Sequence, residues 1–334
     1  MYDEITQTVE QKSTRKPTPL AGSLLYLIVL VLMIVSSLFT VRLNTEGDRY
    51  YSFMFIVQLA TIGLPTILYL LLFKKDVKYS LRLNKASVAE VFLSVGMAFF
   101  GYGIIAFINF LWVLFLSKFG TPDTTSIPDI TNSKHFLMAL IVIAVEPAIL
   151  EEFLFRGVIQ RGNERFGKIA HIILTGILFA LLHLSVVSVP SIILMGILLC
   201  YIAYRSDSIW PGVAFHFTNN AIAVTLTYIS SVVSSLFPGE VDGMATSLAD
   251  LPAEEIRMAI TVWSVIGFFA LLFFGACLAG FHLVTRDKKR ELLSDNTAVN
   301  AGGKFSQLLP AVIAVVIIIL LLILEIINMV NPIV

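Results

Sequence analysis

The stretch AVEPAILEEFLFRGVIQRG, residues 144–162, sets Glu146, Glu151, Glu152 and Arg156 in one apolar run. A charge at mid-bilayer depth costs about 2.5–3.5 kcal/mol, so three carboxylates facing lipid would cost roughly 8–10 kcal/mol. They must therefore face the interior of a bundle or a wet cavity. Glu152 and Arg156 stand four apart with the acid first, the favourable order for a helical ion pair. Glu151 projects about 100° away from Glu152, toward a different neighbour. One carboxylate is thus clamped while the other stays free to react.

Two further runs add polar groups of a matching kind. FALLH places Phe179 and His183 on one helical face, and HFTNN places His216 and Asn220 at i and i+4 with Asn219 beside them. Amide hydrolysis needs an activated water, donors for a tetrahedral oxyanion, and exclusion of bulk solvent. Glu151 suits the base, and His183 could hold and polarise the water. His216 and Asn220 could donate to the oxyanion, a role worth about 2.7–4 kcal/mol per donor in known cases. Glu152 and Arg156 would fix the helix that carries the base. Each feature has a plainer reading: a structural charge cluster, a packing histidine, asparagines that glue helices together. Their coincidence on three neighbouring spans is what favours chemistry. A divalent metal stays open beside the metal-free route. Glu151, His183 and His216 could supply three zinc ligands and leave a water position, although the spacing is not that of HExxH.

The elements that must position these groups are membrane helices. The chain has 334 residues, 57% hydrophobic and 14% charged, with a mean hydropathy of +0.88, which describes an all-α, polytopic membrane bundle. Lys and Arg total 23, as do Asp and Glu, so no nucleic-acid partner is expected. Cys200 and Cys277 both fall in apolar runs and form no metal or disulfide framework. Runs of spanning length lie near 20–41, 52–73, 88–117, 136–160, 169–187, 190–204, 210–235, 258–284 and 309–333. The first is too long for a signal-peptide core and reads as a retained span. With the amino terminus cytoplasmic, 18 basic residues fall inside and 5 outside, which predicts an N-in, C-out cell-membrane protein of about nine spans. Residues 1–334 read as one domain, with core spans in 136–235 and flanking spans in 20–117 and 258–333.

Depth, counted from the cytoplasmic ends at about 1.5 Å per residue, puts Glu151 near 13 Å, His216 near 9 Å and Asn220 near 15 Å. His183 comes out deeper, at about 21 Å, unless its helix starts late or tilts. Pro147 should free a carbonyl and kink the fourth span, with Glu146 marking a wet entry or a pairing within the bundle. Glu325 and Asn328 read as an interhelical contact, and His135, His171 and His282 as histidines solvated near span ends. The outer loop 236–256, with Glu240, Asp242, Asp250, Glu254 and Glu255, reads as solvated.

EEFLFR (Glu151, Glu152, Arg156), FALLH (Phe179, His183) and HFTNN (His216, Asn220) resemble the EExxxR, FxxxH and HxxxN motifs of the CPBP family. That family comprises type II CaaX prenyl proteases and bacteriocin-processing or self-immunity proteins, also called Abi proteins. The motifs lie in order between residues 146 and 220, with Phe155, Arg156 and Gly157 completing an FRG ending. The flanking spans carry no motif of the family. The resemblance implies an intramembrane endopeptidase, by either the glutamate-dependent or the metallo-endopeptidase route, with the division of labour given above. It also implies a lipid-modified CaaX-like tail or a small membrane-associated peptide as substrate, cut at the cytoplasmic face. A non-catalytic immunity or scaffold protein is the competing class. A proton-coupled transporter would need inverted repeats with broken helices, and the sequence shows neither.

Overall fold

The computed structural model describes residues 15–43, 47–123, 130, 132–237, 252–288 and 303–331. Its elements are α1 (Pro19–Leu43), α2 (Asp48–Leu72), the short α3 (Val77–Ser80), α4 (Val88–Leu116) and α5 (133–163). There follow α6 (Lys168–Leu181), α7 (Val189–Ser206), α8 (Trp210–Leu236), α9 (Ala253–Val284) and α10 (Leu309–Val330). No strand occurs among the described residues. The chain is a multi-pass integral membrane protein. Six helical segments are long and apolar enough to cross a bilayer: Pro19–Phe39, α2, α4, α7, α9 and Phe305–Val330.

The other three apolar runs are helical too, and each departs from a plain span for a reason tied to its polar residues. Two π-helical turns interrupt α5, at Leu140–Val145 and Phe153–Ile159. The asparagines of α8 lower its hydropathy. Helix α6 stops at Leu181, short of the expected 187. At 1.5 Å per residue its 14 residues reach only about 21 Å, so it ends inside the bundle.

The helices alternate in direction, and loop contacts sort their ends. At one end Gly162 lies against Thr18, and Arg82 meets Glu164 and Asp207. At that same end Arg205 donates to the His282 carbonyl, and Lys288 reaches Glu90. At the opposite end Asp48 pairs with Lys134, Ser133 meets Tyr228, and Thr121 N–H donates to the Met329 carbonyl. The first end gathers basic residues from Arg15 to Lys304 and is called the basic end below. Among the described side chains the far end carries Arg49, Lys118, Lys134 and Arg257. Lys12, Lys289, Arg290, Glu240, Asp242, Asp250 and residues 332–334 lie outside the described residues, as does the side chain of Arg42.

Helices α5, α7 and α8 form the centre, with α6 against α7, α4 and α9 on one flank and α1 and α10 on the other. Leu154, Phe155, Phe179, Leu199 and Phe215 fill the core. Apolar residues such as Leu72, Phe268, Leu271 and Leu324 point outward, the inverse of a soluble protein and the surface a lipid solvent requires. At the α6–α7 crossing Gly176 and Gly196 face one another. A Cβ on Gly176 would lie 2.7 Å from the Ile197 backbone nitrogen, and one on Gly196 would lie 2.6 Å from the Gly176 carbonyl. Small residues let membrane helices approach this closely.

Candidate active site

The site is built around irregularities in α5. Pro147 has no N–H to give the Ile143 carbonyl, four residues back, and the π turn ahead of it loosens the ladder further. Both freed carbonyls are taken by other helices. Asn220 Nδ2 of α8 donates to Ile143 O at 2.9 Å, and Gln58 Nε2 of α2 donates to Val142 O at 2.9 Å. The second π turn exposes the Arg156 carbonyl, which accepts from Arg82 Nε at 2.9 Å. In a membrane interior such repairs are obligatory. Here they lock α2 and α8 onto α5 ahead of the two glutamates, and Arg82 onto it beyond them.

The expected ion pair is present and fully buried. Arg156 Nη1 donates to Glu152 Oε1 at 2.8 Å, with both side chains at 0% exposure. Arg156 Nη2 reaches the Gly196 carbonyl at 3.3 Å, and the guanidinium lies 4.2 Å from the centre of the Phe179 ring. Glu152 has a second duty that the motif does not announce: its Oε1 accepts from His216 Nδ1 at 3.2 Å. A carboxylate can only accept, so Nδ1 carries the hydrogen and Nε2 of a neutral ring keeps its lone pair. Gly212, one turn before His216, makes room for this, because a Cβ there would lie 2.8 Å from Glu152 Oε2.

Glu151 faces the same histidine from the other side. Its Oε2 lies 3.9 Å from His216 Nε2 and makes no hydrogen bond. The separation is too long for a direct hydrogen bond. His183 stands in the turn after α6, where its Nδ1 donates to the Phe179 carbonyl at 3.0 Å. Nε2 is again the acceptor. Leu184 beside it adopts a left-handed backbone, φ 51°, an uncommon conformation for a branched residue. Such local strain collects at functional sites.

Glu151, His183, His216 and Asn220 line one cavity of about 360 Å³. The four residues singled out as catalytic therefore line one cavity, and the Glu152–Arg156 pair lies behind His216. Helix α6 starts at Lys168, no later than expected, so His183 keeps its greater depth and lines the cavity from the turn two residues past the helix end. Two roles are modified. His216 has one nitrogen committed to Glu152, and Asn220 has one amide hydrogen committed to Ile143, its Oδ1 accepting from Asn219 at 3.2 Å. Gln58, Ser191 and Asn219 also line the cavity. Gln58 was legible as the lone amide within an apolar run; Ser191 had no signal.

Other expectations sort as follows. Glu325 of α10 accepts from the Val186 N–H at 2.8 Å, so it ties its helix to the turn between α6 and α7 rather than to another helix. Glu146 is buried, with neither carboxylate oxygen hydrogen-bonded, and is not among the cavity's lining residues. His171 is not solvated: it is 1% exposed and meets Gln160 Nε2 at 3.3 Å. His282 accepts or donates to Tyr201 Oη at 2.7 Å, and His135 lies 3.3 Å from Asp48. Among the described residues no three His, Cys, Asp or Glu groups come together as a metal site requires. Glu151 and His216 are neighbours, and His183 lines the same cavity with Nε2 uncommitted, but the three are not gathered at ligand distance.

A second cluster of buried charge closes the basic end. Arg82 bridges Glu164 at 2.5 Å and Asp207 at 2.6 Å, and Arg161 bridges Asp207 at 2.7 Å and Glu164 at 3.4 Å. Asn84 adds a bond to Asp207 at 3.0 Å. Burial alone would raise the Glu164 carboxyl, but the Arg161 and Arg82 cations outweigh it and bring it down from 4.5 to about 2. Sequence reading missed this cluster.

Residues 133–222, which hold all three motifs and the cavity's α5 and α8 walls, match the family model of type II CAAX prenyl endopeptidases, Rce1-like. The match agrees with the CPBP resemblance. No curated protein and no solved structure matches the chain.

Proposed function

We propose that this protein is an intramembrane endopeptidase that hydrolyses a peptide bond of a membrane-associated polypeptide, using a water activated by Glu151. The observation that carries the reading is the 3.9 Å gap between Glu151 Oε2 and His216 Nε2. Two hydrogen-bond acceptors face each other there across a polar cavity wall. A water donating one hydrogen to each satisfies both, with its lone pairs turned to the cavity.

The chemistry then runs in two steps. Glu151 takes a proton as the water oxygen attacks the scissile carbonyl carbon, giving a tetrahedral oxyanion. The uncommitted amide hydrogens of Asn220 and Asn219, on the same wall, supply donors for that charge. Glu151 then returns the proton to the amide nitrogen as the C–N bond breaks, releasing a carboxylic acid and an amine, between which the acid's proton passes to leave carboxylate and ammonium. Glu152 acts through His216, holding its tautomer, and Arg156 holds Glu152. His183 Nε2 orients the water or the leaving amine from the facing wall. No step requires a metal. The lipid-modified, CaaX-like tail suggested by the family description is one member of the substrate class.

The test is cleavage of a membrane-peptide library by the purified protein in liposomes. Wild type should produce new amino termini that are absent with Glu151→Gln. Equal cleavage by that variant would sink the base, and no cleavage by wild type would favour a binding protein that keeps the polar wall for recognition.

A further inference from the structure

We infer that the groove between α1 and α2 is a binding site for one anionic phospholipid, taken from the leaflet at the basic end. The site uses residues of α2 that the catalytic cavity does not, and it stands whether or not the protein hydrolyses peptides.

The groove encloses about 660 Å³. Leu25 and Tyr69 line it as buried side chains, and Leu24, Ile28, Leu64 and Leu68 as exposed ones. It therefore opens on the surface that meets lipid. Its lining runs from Thr18, just ahead of α1, to Leu32, and from Phe73 back along α2 to Ala60. At 1.5 Å per residue either length is about 20 Å. Half of a bilayer's hydrocarbon core is about 15 Å thick. A groove of that length, starting at one end of the bundle, takes acyl chain from a single leaflet.

Two features of the basic-end mouth select the headgroup. The first is charge. Lys75 is the one charged group among the described lining residues, and the Lys16 carbonyl holds its Nζ at 3.3 Å. The segments that frame the mouth, 15–18 and 73–78, add Arg15, Lys16, Lys74 and Lys78 against one acid, Asp76. That acid already caps α3, accepting from the Tyr79 N–H at 3.0 Å. Burial and the Arg165 cation together hold the Lys75 ammonium below its ordinary value, a penalty that a nearby anion relieves.

The second feature is Tyr69. Its hydroxyl is buried without a hydrogen bond, and Lys75 Nζ lies 5.9 Å from the centre of its ring. Tyr69 stands three residues before the end of α2 at Leu72, about 5 Å deeper in the bilayer. A glycerophospholipid presents its groups in that order, phosphate at the surface and ester carbonyls one step below. The phosphate meets Lys75, and an ester carbonyl is the acceptor that the Tyr69 hydroxyl lacks. A zwitterionic lipid offers the same chains and esters but no net charge for the basic rim.

The test is native mass spectrometry of the full-length protein in detergent, titrated with phosphatidylglycerol or with phosphatidylcholine of identical acyl chains. Wild type should take up one phosphatidylglycerol in preference to phosphatidylcholine. Lys75→Gln should weaken phosphatidylglycerol binding about five-fold, the scale of one basic group beside an anionic lipid, and leave phosphatidylcholine binding unchanged. Ala60→Trp, which fills the groove from an exposed position and alters no charge, should abolish the preferred adduct. Lys168→Gln, at the basic end but outside the groove, should bind as wild type does. Equal binding of the two lipids overturns the inference. So does an Ala60→Trp protein that keeps its phosphatidylglycerol, because the lipid would then sit on surface charge alone. Displacement of the bound lipid by a neutral prenylated peptide would hand the groove to substrate and overturn it as well.

Discussion

Two clusters of buried charge, roughly one helix end apart, are built to opposite rules. At the basic end every ion has its counter-ion: Arg82 and Arg161 share Glu164 and Asp207, and Asn84 and backbone carbonyls absorb the remaining bonds. At the cavity floor the books stay open. Glu151 Oε2, Glu152 Oε2 and Asn219 Oδ1 are buried without hydrogen bonds, and the His216 nitrogen facing Glu151 is Nε2, the one not donating to Glu152. A saturated network is what holds a bundle together. An unsaturated one costs stability; at the cavity floor a reactant can supply the missing partner, whereas Glu146, outside the cavity, stays open without one. The difference separates structural charge from chemical charge more sharply than the motif does, because both clusters carry Glu and Arg.

The largest expected effect lies in the saturated cluster. Arg82→Ala strands two buried carboxylates, and breaking a buried pair typically costs about 3–5 kcal/mol. Thermal unfolding in detergent should show a large loss of stability and yield, while cleavage per folded molecule stays within a few-fold of wild type. A folded Arg82→Ala protein with no activity would blur the contrast.

Glu152 and Arg156 sit between the two kinds. Single alanine variants should lower both stability and activity, and a double-mutant cycle should show a coupling of about 0.5–3 kcal/mol. Additive effects would remove the pair from the account.

His183 belongs to the open cluster. His183→Ala should leave unfolding unchanged and lower turnover by about 10–100-fold, the range for a group that orients a reactive one. Loss of expression in its place would make it a cap for α6 and nothing more.

The smallest effect concerns acid. Glu164 titrates near 2 in the folded chain against an ordinary 4.5. Its contribution is therefore complete above about pH 4.5 and lost only as pH falls toward 2. The stability gap between wild type and Glu164→Gln should be the same at pH 7 and pH 5 and narrower at pH 3. A gap that closes between pH 7 and 5 would mean the network is weaker than drawn.

What sequence could and could not reveal follows from the range of each interaction. The Glu152–Arg156 pair was legible because helical periodicity fixes neighbours at i and i+4, and His216 and Asn220 share a face for the same reason. The freed carbonyl at Pro147 was legible, but its donor was not, since Asn220 is 77 residues away and Gln58 lies 84 residues from Val142. Arg82 looked like one more cytoplasmic base; its partners lie 82 and 125 residues on. The early end of α6 had no local marker, because LLHLS stays apolar up to the turn and the next proline is Pro190. Apolar runs gave the helices, but they cannot say which of them break inside the membrane.

The central claim is that Glu151 is an open charge kept for chemistry, and one measurement addresses it directly: the cleavage rate per folded molecule of Glu151→Gln in liposomes, taken together with its unfolding temperature. The account predicts a fall of about 10²–10⁴-fold, the range for loss of a general base, with unfolding unchanged or slightly raised as a buried, unpartnered charge is removed. Wild-type turnover, or a destabilised protein whose surviving folded fraction cleaves normally, would contradict it.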